Sequence, residues 1–330
     1  MKNVNKAHFD LDFIKYAAAS VGEKREVKVV NKKSGKEFLC KNRTEFYGSN
    51  KKGGILERLN ENKKEEDVLS YTDFDYFDIQ TPEPIQNILH TANCMIDSCL
   101  ESAGAGVVDF YIGSGDSFRV DLSTLLEYKG NRKNVLRPVL LDEVNDYLVR
   151  KYSANIVKGY EVDDVVVMES YGKHNHFIIG VDKDYYGTGS RFLNTNRLSE
   201  SIVDTSGVGK LYLDNGKVRG YGASFKMFQV CSGDSSDNYK ANCHSSVKWG
   251  EMSAYNTLKD CKTYRALFEK GASIFKHLYP SRKEVIGWKG ETLSVDWLYV
   301  FQEMFNMAHL HRKQDDYVNV ESVLKNLDLL

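Results

Sequence analysis

The chain has 330 residues, 45 Lys+Arg against 46 Asp+Glu, and a formal net charge of -1. This length allows a sizeable core and two lobes, while the balanced charge excludes a protein that holds nucleic acid by bulk positive charge alone. The 6 Cys include no C-x-x-C pair, so a zinc site is not expected, and no apolar run approaches the ~20 residues of a membrane span. A soluble, monomeric, cytoplasmic protein with reduced thiols is expected.

In chain order, Lys6-Ala7-His8-Phe9-Asp10 predicts a short first strand, and Ala17, Ala18 and Ala19 favour a helix over 13–20. Val27 and Val29, then Phe38 and Cys40, alternate with charged neighbours around Ser34-Gly35, which predicts a hairpin over 26–30 and 36–41. Residues 24–64 are rich in Lys and Arg, and 48–75 are polar, which predicts a mobile or partly helical insertion. Ile85, Ile88, Leu89, Ala92, Ile96, Cys99 and Leu100 form a helical stripe over 82–102, with Thr81 placed to cap it. Strands follow at 107–112, at 156–157 and at 177–181, with helices at 140–149 and 162–168 between them. Asn215-Gly216 predicts a tight hairpin turn between 210–213 and 217–219. Helices are then expected at 222–231, 246–259, 261–277 and 294–312. The alternation predicts an α/β fold with a mostly parallel sheet flanked by helices. Residues 1–220 form its core, with a basic insertion at about 24–75, and residues 221–330 form a helical lobe. The pairs His174/His176 and His309/His311 fit no zinc spacing and are expected at the surface.

Carboxylates recur where these strands end. Asp10 and Asp12 come first, with Asp10 the stronger candidate, and Asp116 follows. Gly159-Tyr160-Glu161-Val162-Asp163-Asp164, Asp182-Lys183-Asp184 and Gly233-Asp234-Ser235-Ser236-Asp237 complete the series. Strand ends are where a parallel sheet gathers ligand-binding residues. Acids in a first helical turn complement the helix dipole, and Gly233 to Asp237 alone reads as an Asx turn. Neither explains why acidic ends recur on neighbouring strands. Crowded carboxylates repel and take up protons unless cations lie between them, so bound divalent metal, most simply Mg²⁺, is expected. Paired metals on carboxylates suit phosphodiester hydrolysis. Lys129 and Arg132 lie three apart, on one face if helical, and could hold a phosphate; otherwise they belong to a solvated basic helix.

The motifs resemble, in their order along the chain, those of the 5′-nuclease superfamily of flap endonucleases and 5′→3′ exonucleases. The matching stretches are Phe9-Asp10, Asp116-Ser117-Phe118-Arg119, Tyr128-Lys129-Gly130-Asn131-Arg132, Gly159 to Asp164, Asp182-Lys183-Asp184 and Gly233 to Asn238. Tyr128 to Lys133, with Pro138-Val139 soon after, looks most like phage replication exonucleases. The resemblance implies a PIN-like core and two Mg²⁺ ions, for which Mn²⁺ can substitute. Asp10, Asp116, Glu161, Asp163 and Asp164 would serve the first metal; Asp182, Asp184, Asp234 and Asp237 would serve the second. It also implies that Lys129 and Arg132 steer the scissile phosphate, and that Arg119, Lys133, Lys240 and Lys248 contact DNA. A helix–turn–helix element after Asp237, with K⁺ in some members, would grip the duplex. Here the chain departs from the family, with Tyr239-Lys240-Ala241-Asn242-Cys243-His244 and Val247-Lys248-Trp249-Gly250 in place of its Pro-Gly-Val and Gly-Ile-Gly signature. The stretch from Arg132 to Pro138 is short for a helical arch. The implied activity is a 5′→3′ exonuclease on DNA, extending to RNA primers in RNA–DNA hybrids. A flap endonuclease and a catalytically silent DNA-binding member are the alternatives.

Overall fold

A computed structural model describes residues 5–50, 52–197 and 201–330; Lys51, inside the basic segment, lies outside them. The fold is α/β, with a mostly parallel central sheet flanked by helices, an arrangement compatible with a PIN-like core. In order across the sheet, the six strands are Val203–Asp204, Arg191–Asn194, His176–Gly180, Lys6–Asp10, Val107–Gly113 and Asn155–Val157. All neighbours are parallel except the short Val203–Asp204 edge. Ala7, Phe9, Phe177, Ile178 and Ile179 are fully buried, as expected of central strands covered on both faces. The helix Val162–Ser170 lies against three of these strands, with Val166 and Val167 pointing inward.

The chain divides into two compact units, and the division does not fall at residue 220. One unit runs to Phe13 and resumes over Met95–Leu136 and Leu148–Leu330; the other comprises Ile14–Cys94 and Arg137–Tyr147. The expected helical lobe is not separate because its helices share a core with earlier residues. Leu125 and Tyr128 join Phe225, Val230, Phe275 and Phe301 in one apolar cluster. That cluster is supplied mainly by the helices Gly222–Ser232, Glu251–Leu258, Tyr264–Leu278, Trp297–Met307 and Val320–Asn326.

The second unit holds a three-stranded antiparallel sheet, ordered Glu37–Cys40, Glu23–Asn31, Phe74–Pro82. Val27, Val29, Cys40, Phe46 and Phe74 form a small core of its own. The polar stretch expected to be mobile contains a short helix, Ile55–Asn60, and two 3₁₀ turns. Thr81 does not cap the helix Ile85–Ala103; it pairs with Lys24 inside the sheet.

Other differences are local. The 210–221 hairpin turns through Asn215 and Gly216, both at positive φ (49° and 76°), as a primed turn requires. A second hairpin, Lys283–Ile286 with Thr292–Val295, was not anticipated. The expected 294–312 helix starts at Trp297, because Asp296 caps it by accepting from the N–H groups of Leu298 and Tyr299. It stops at Met307, which turns His309 and His311 inward; they are buried rather than at the surface. Among the described residues, no helix is long and apolar enough to cross a membrane.

Candidate metal centre

Asp10 closes the central strand and is 8% exposed. One of its oxygens accepts the Asp12 N–H at 2.9 Å and the other accepts the Tyr185 hydroxyl at 2.8 Å. Burial, with Asp12 and Asp182 nearby, pushes its carboxyl up to about 7 against those two donors. Asp12 reaches across to the next strand end and accepts the Gly113 N–H at 2.9 Å. A Cβ on Gly113 would lie 2.8 Å from the other Asp12 oxygen, so any larger residue there would push the carboxylate aside.

The first turn of the Val162–Ser170 helix brings the next acids. Glu161 is its N-cap, and Glu161, Asp163 and Asp164 present carboxylate oxygens all within 4.8 Å of one another. This acidic cluster can hold a metal ion. Burial, Asp164 and Glu161 drive the Asp163 carboxyl far above the usual carboxylate range. Burial also opposes charge on Glu161, but Arg119 and Lys129 outweigh it and hold that carboxyl below its ordinary value. Tyr128 donates its hydroxyl to Glu161 at 2.6 Å, and Lys129 Nζ is in contact with the second Glu161 oxygen.

Asp182 caps the 3₁₀ turn after the His176–Gly180 strand by accepting the Asp184 N–H at 2.9 Å. Asp184 accepts from Gln229 Nε2, and burial with Asp182 beside it drives its carboxyl well up despite Lys183. Asp234 accepts from Lys183 Nζ at 2.7 Å and from the Ser236 N–H at 2.7 Å. Asp237 accepts from Arg132 at 2.8 Å. The 127–132 segment is tied to the 234–238 loop over a hundred residues away: Lys129 N–H to Asp237 O, Asn131 to Ser235 O, Arg132 to Ser236 O and Asn238 to Glu127 O. These bonds offset the left-handed conformation of Lys129 (φ 55°), which costs a non-glycine residue about 1–3 kcal/mol. Lys129 thus precedes, and Arg132 ends, a single 3₁₀ turn, Gly130–Arg132, in place of the expected α-helix, and both cations reach Asp237.

The structure brings together most of the acids read from sequence, the weaker candidate Asp12 among them. It does not draw Asp116 in: that residue is exposed, its hydrogen-bond partner is Ser114 Oγ at 3.1 Å, and it is not among the main charges acting on Asp10, Glu161, Asp163, Asp184, Asp234 or Asp237. Arg119 is corrected outright. Expected at the DNA, it is 1% exposed, with both terminal nitrogens on Asp164 (2.6 and 2.9 Å), one also on Glu161 (2.9 Å), and Nε and Nη2 on the carbonyls of Met307 and His309. Asp164, 0% exposed, also accepts the His311 N–H, so about three of its roughly four acceptor positions are taken. Lys133 pairs with Glu127 at 2.7 Å, while Lys240 and Lys248 are exposed. Among the described residues, Asp182, Asp184, Asp234 and Asp237 do not converge as closely as the Glu161 group, because Lys183 and Arg132 engage two of them.

Nine carboxylates (Asp10, Asp12, Glu161, Asp163, Asp164, Asp182, Asp184, Asp234 and Asp237) thus face four cations (Arg119, Lys129, Arg132 and Lys183), an excess of five negative charges when all ionise. Two divalent ions would cancel four of them. Oxygen-only donors suit a hard cation. The chain matches no protein-family model, no curated protein and no solved structure.

Proposed function

We propose that this chain is a Mg²⁺-dependent nuclease of the 5′-nuclease kind that hydrolyses DNA phosphodiesters from 5′ ends, with RNA primers in hybrids as further substrates. One observation carries the reading: a carboxylate site five charges in excess, with the partly exposed cations Lys129 and Arg132 tied to its rim. Binding alone gains nothing from a repulsive pit, which argues against a silent DNA-binding member.

Asp10, Glu161 and Asp163 would hold one ion, and Asp182, Asp184, Asp234 and Asp237 the other. When bound, the ions supply hydroxide at neutral pH and shield the leaving oxygen. The chain's own residues position everything else. Tyr185 and Tyr128, whose hydroxyls burial keeps protonated, orient Asp10 and Glu161 as donors. Lys129 and Arg132 receive the scissile phosphate and offset charge in the transition state. Lys240 and Lys248, exposed side chains on the segment before the Glu251–Leu258 helix, would contact the duplex backbone, with K⁺ as a candidate companion there.

A flap endonuclease is the second reading. The connection from Arg132 to the helix Leu141–Tyr152 contains no helix, leaving no arch to thread a single strand, so exonuclease action is favoured. The test is duplex DNA labelled at either end, beside 5′-flap and RNA-primed substrates, with EDTA and Asp182→Ala controls. Metal-dependent release of 5′ mononucleotides or short products is expected. A single cut at the flap junction would select the second reading, and retained binding without cleavage would refute both.

A further inference from the structure

A second cavity of about 640 Å³ lies apart from the carboxylates, walled by the helices Gly222–Ser232, Tyr264–Leu278 and Trp297–Met307 and by the 312–318 turn. None of the nine acids lines it. Its polar lining is mainly basic. Lys226 is 8% exposed, and its Nζ contacts His309 Nδ1 and sits 4.7 Å over the Phe305 ring. His309 Nε2 lies 3.0 Å from Asp316 Oδ2. The imidazole therefore donates through Nε2 and accepts from Lys226 at Nδ1. Lys226 makes no ion pair with a carboxylate among the described residues. Arg312 stacks on the Tyr171 ring at 4.6 Å, and its Nε is enclosed without a hydrogen-bond partner. Lys313 adds a third basic side chain to the wall. The one acid lining it among the described residues, Asp316, is already engaged by His309 and by the Arg312 N–H at 3.1 Å.

Buried donors left without acceptors are costly unless a ligand supplies them. The cavity is also far larger than inorganic phosphate needs, and Tyr264, Phe268 and Phe305 give it aromatic walls. We infer that this cavity is a binding site for an organic phosphate of mononucleotide size, its phosphate held by Lys226 and Arg312 and its ring against the aromatic wall. Burial, with Arg312 and Arg119 nearby and Asp316 only partly opposing, holds the Lys226 amine well below its ordinary value. An arriving anion therefore draws a proton onto Lys226.

The test is calorimetric titration of the full chain in EDTA, which keeps divalent metal from the carboxylate site, with dAMP, deoxyadenosine and inorganic phosphate as separate probes. dAMP is expected to bind at least tenfold more tightly than phosphate and far more tightly than the nucleoside, with proton uptake at pH 8 read from buffers of different ionisation enthalpy. Lys226→Met and Arg312→Gln should each weaken dAMP at least tenfold while the unfolding transition stays cooperative. Absence of binding by any probe would overturn the inference, as would dAMP binding unchanged in both variants. Because no cleavage is measured, a failed nuclease assay would leave this result standing, and the reverse.

Discussion

Replacing Arg119 with Met separates a DNA-contacting arginine from one that holds the fold. Its guanidinium makes five hydrogen bonds, three to carboxylates and two to carbonyls, and its side chain is 2% exposed. Removing it leaves Asp164 buried and uncompensated, a loss of ~3–5 kcal/mol. At ~2 °C per kcal/mol for a large chain, that is a fall in Tm of ~6–10 °C. Urea unfolding followed by circular dichroism in EDTA measures it directly. A double variant, Arg119→Met with Asp164→Leu, should be more stable than the single one, because an apolar pair removes the stranded charge. For the folded fraction, the salt dependence of DNA binding should match wild type, whereas loss of a phosphate contact lowers the slope by ~0.9. An unchanged unfolding midpoint with a lowered slope would refute the burial argument and return Arg119 to the DNA.

Asp163→Asn should stabilise the metal-free protein by ~1 kcal/mol, since it relieves like-charge crowding. It should also remove most of the Tm increase that MgCl₂ gives the wild type; equal increases in both would contradict the site. His8 is buried against Tyr111 and His176, and burial with His176 lowers its ring to about 4, while burial and Lys226 lower His309 to about 3. Between those values and 6.5 the unfolded chain binds protons that the folded chain does not, so stability falls as pH drops through that window. His8→Gln should flatten the fall by up to ~3 kcal/mol, measured by urea midpoints from pH 7 to pH 4. In the basic segment, Lys24, Lys28 and Arg43 pair with Glu26, Glu37 and Asp78. Because β-sheet and core run through this segment, deleting 28–64 would destroy it, and surface reversal is the cleaner probe. If the segment holds DNA, Lys33→Glu with Lys64→Glu should lower the salt slope by ~1–2; an unchanged slope would mark a solvated appendage.

Four of the six strands were legible because they are short apolar runs, as in Phe177-Ile178-Ile179-Gly180; Arg191–Asn194 and Val203–Asp204 were not, being too short and polar to stand out. The strand Phe74–Pro82 was not, because Phe74 points into its small core while Phe77 is exposed, so no clean alternation marks a face. The acids stood out as motifs, and their convergence depends on parallel register that places Asp10, Gly113 and Gly180 at neighbouring strand ends. Arg119 could not be read this way. Nothing near it in sequence separates a buried cation from an exposed one, and its partners lie from about forty to nearly two hundred residues away. Asp12 ranked below Asp10 in the sequence, and only the absence of a side chain at Gly113 hints at its reach. His309 and His311 were misplaced because the helix before them stops early, a boundary that apolar periodicity does not mark.

The clasp between Arg119, Asp164 and the 307–311 backbone also orders events during synthesis. The sheet, the helix of Glu161 to Asp164 and the Lys129 turn all leave the ribosome before Met307, His309 and His311. Until those residues arrive, Arg119 lacks two of its acceptors and Asp164 lacks its backbone donor. The acidic centre therefore acquires its last backbone partners late, and a growing chain carries its carboxylates before it can hold them in working order.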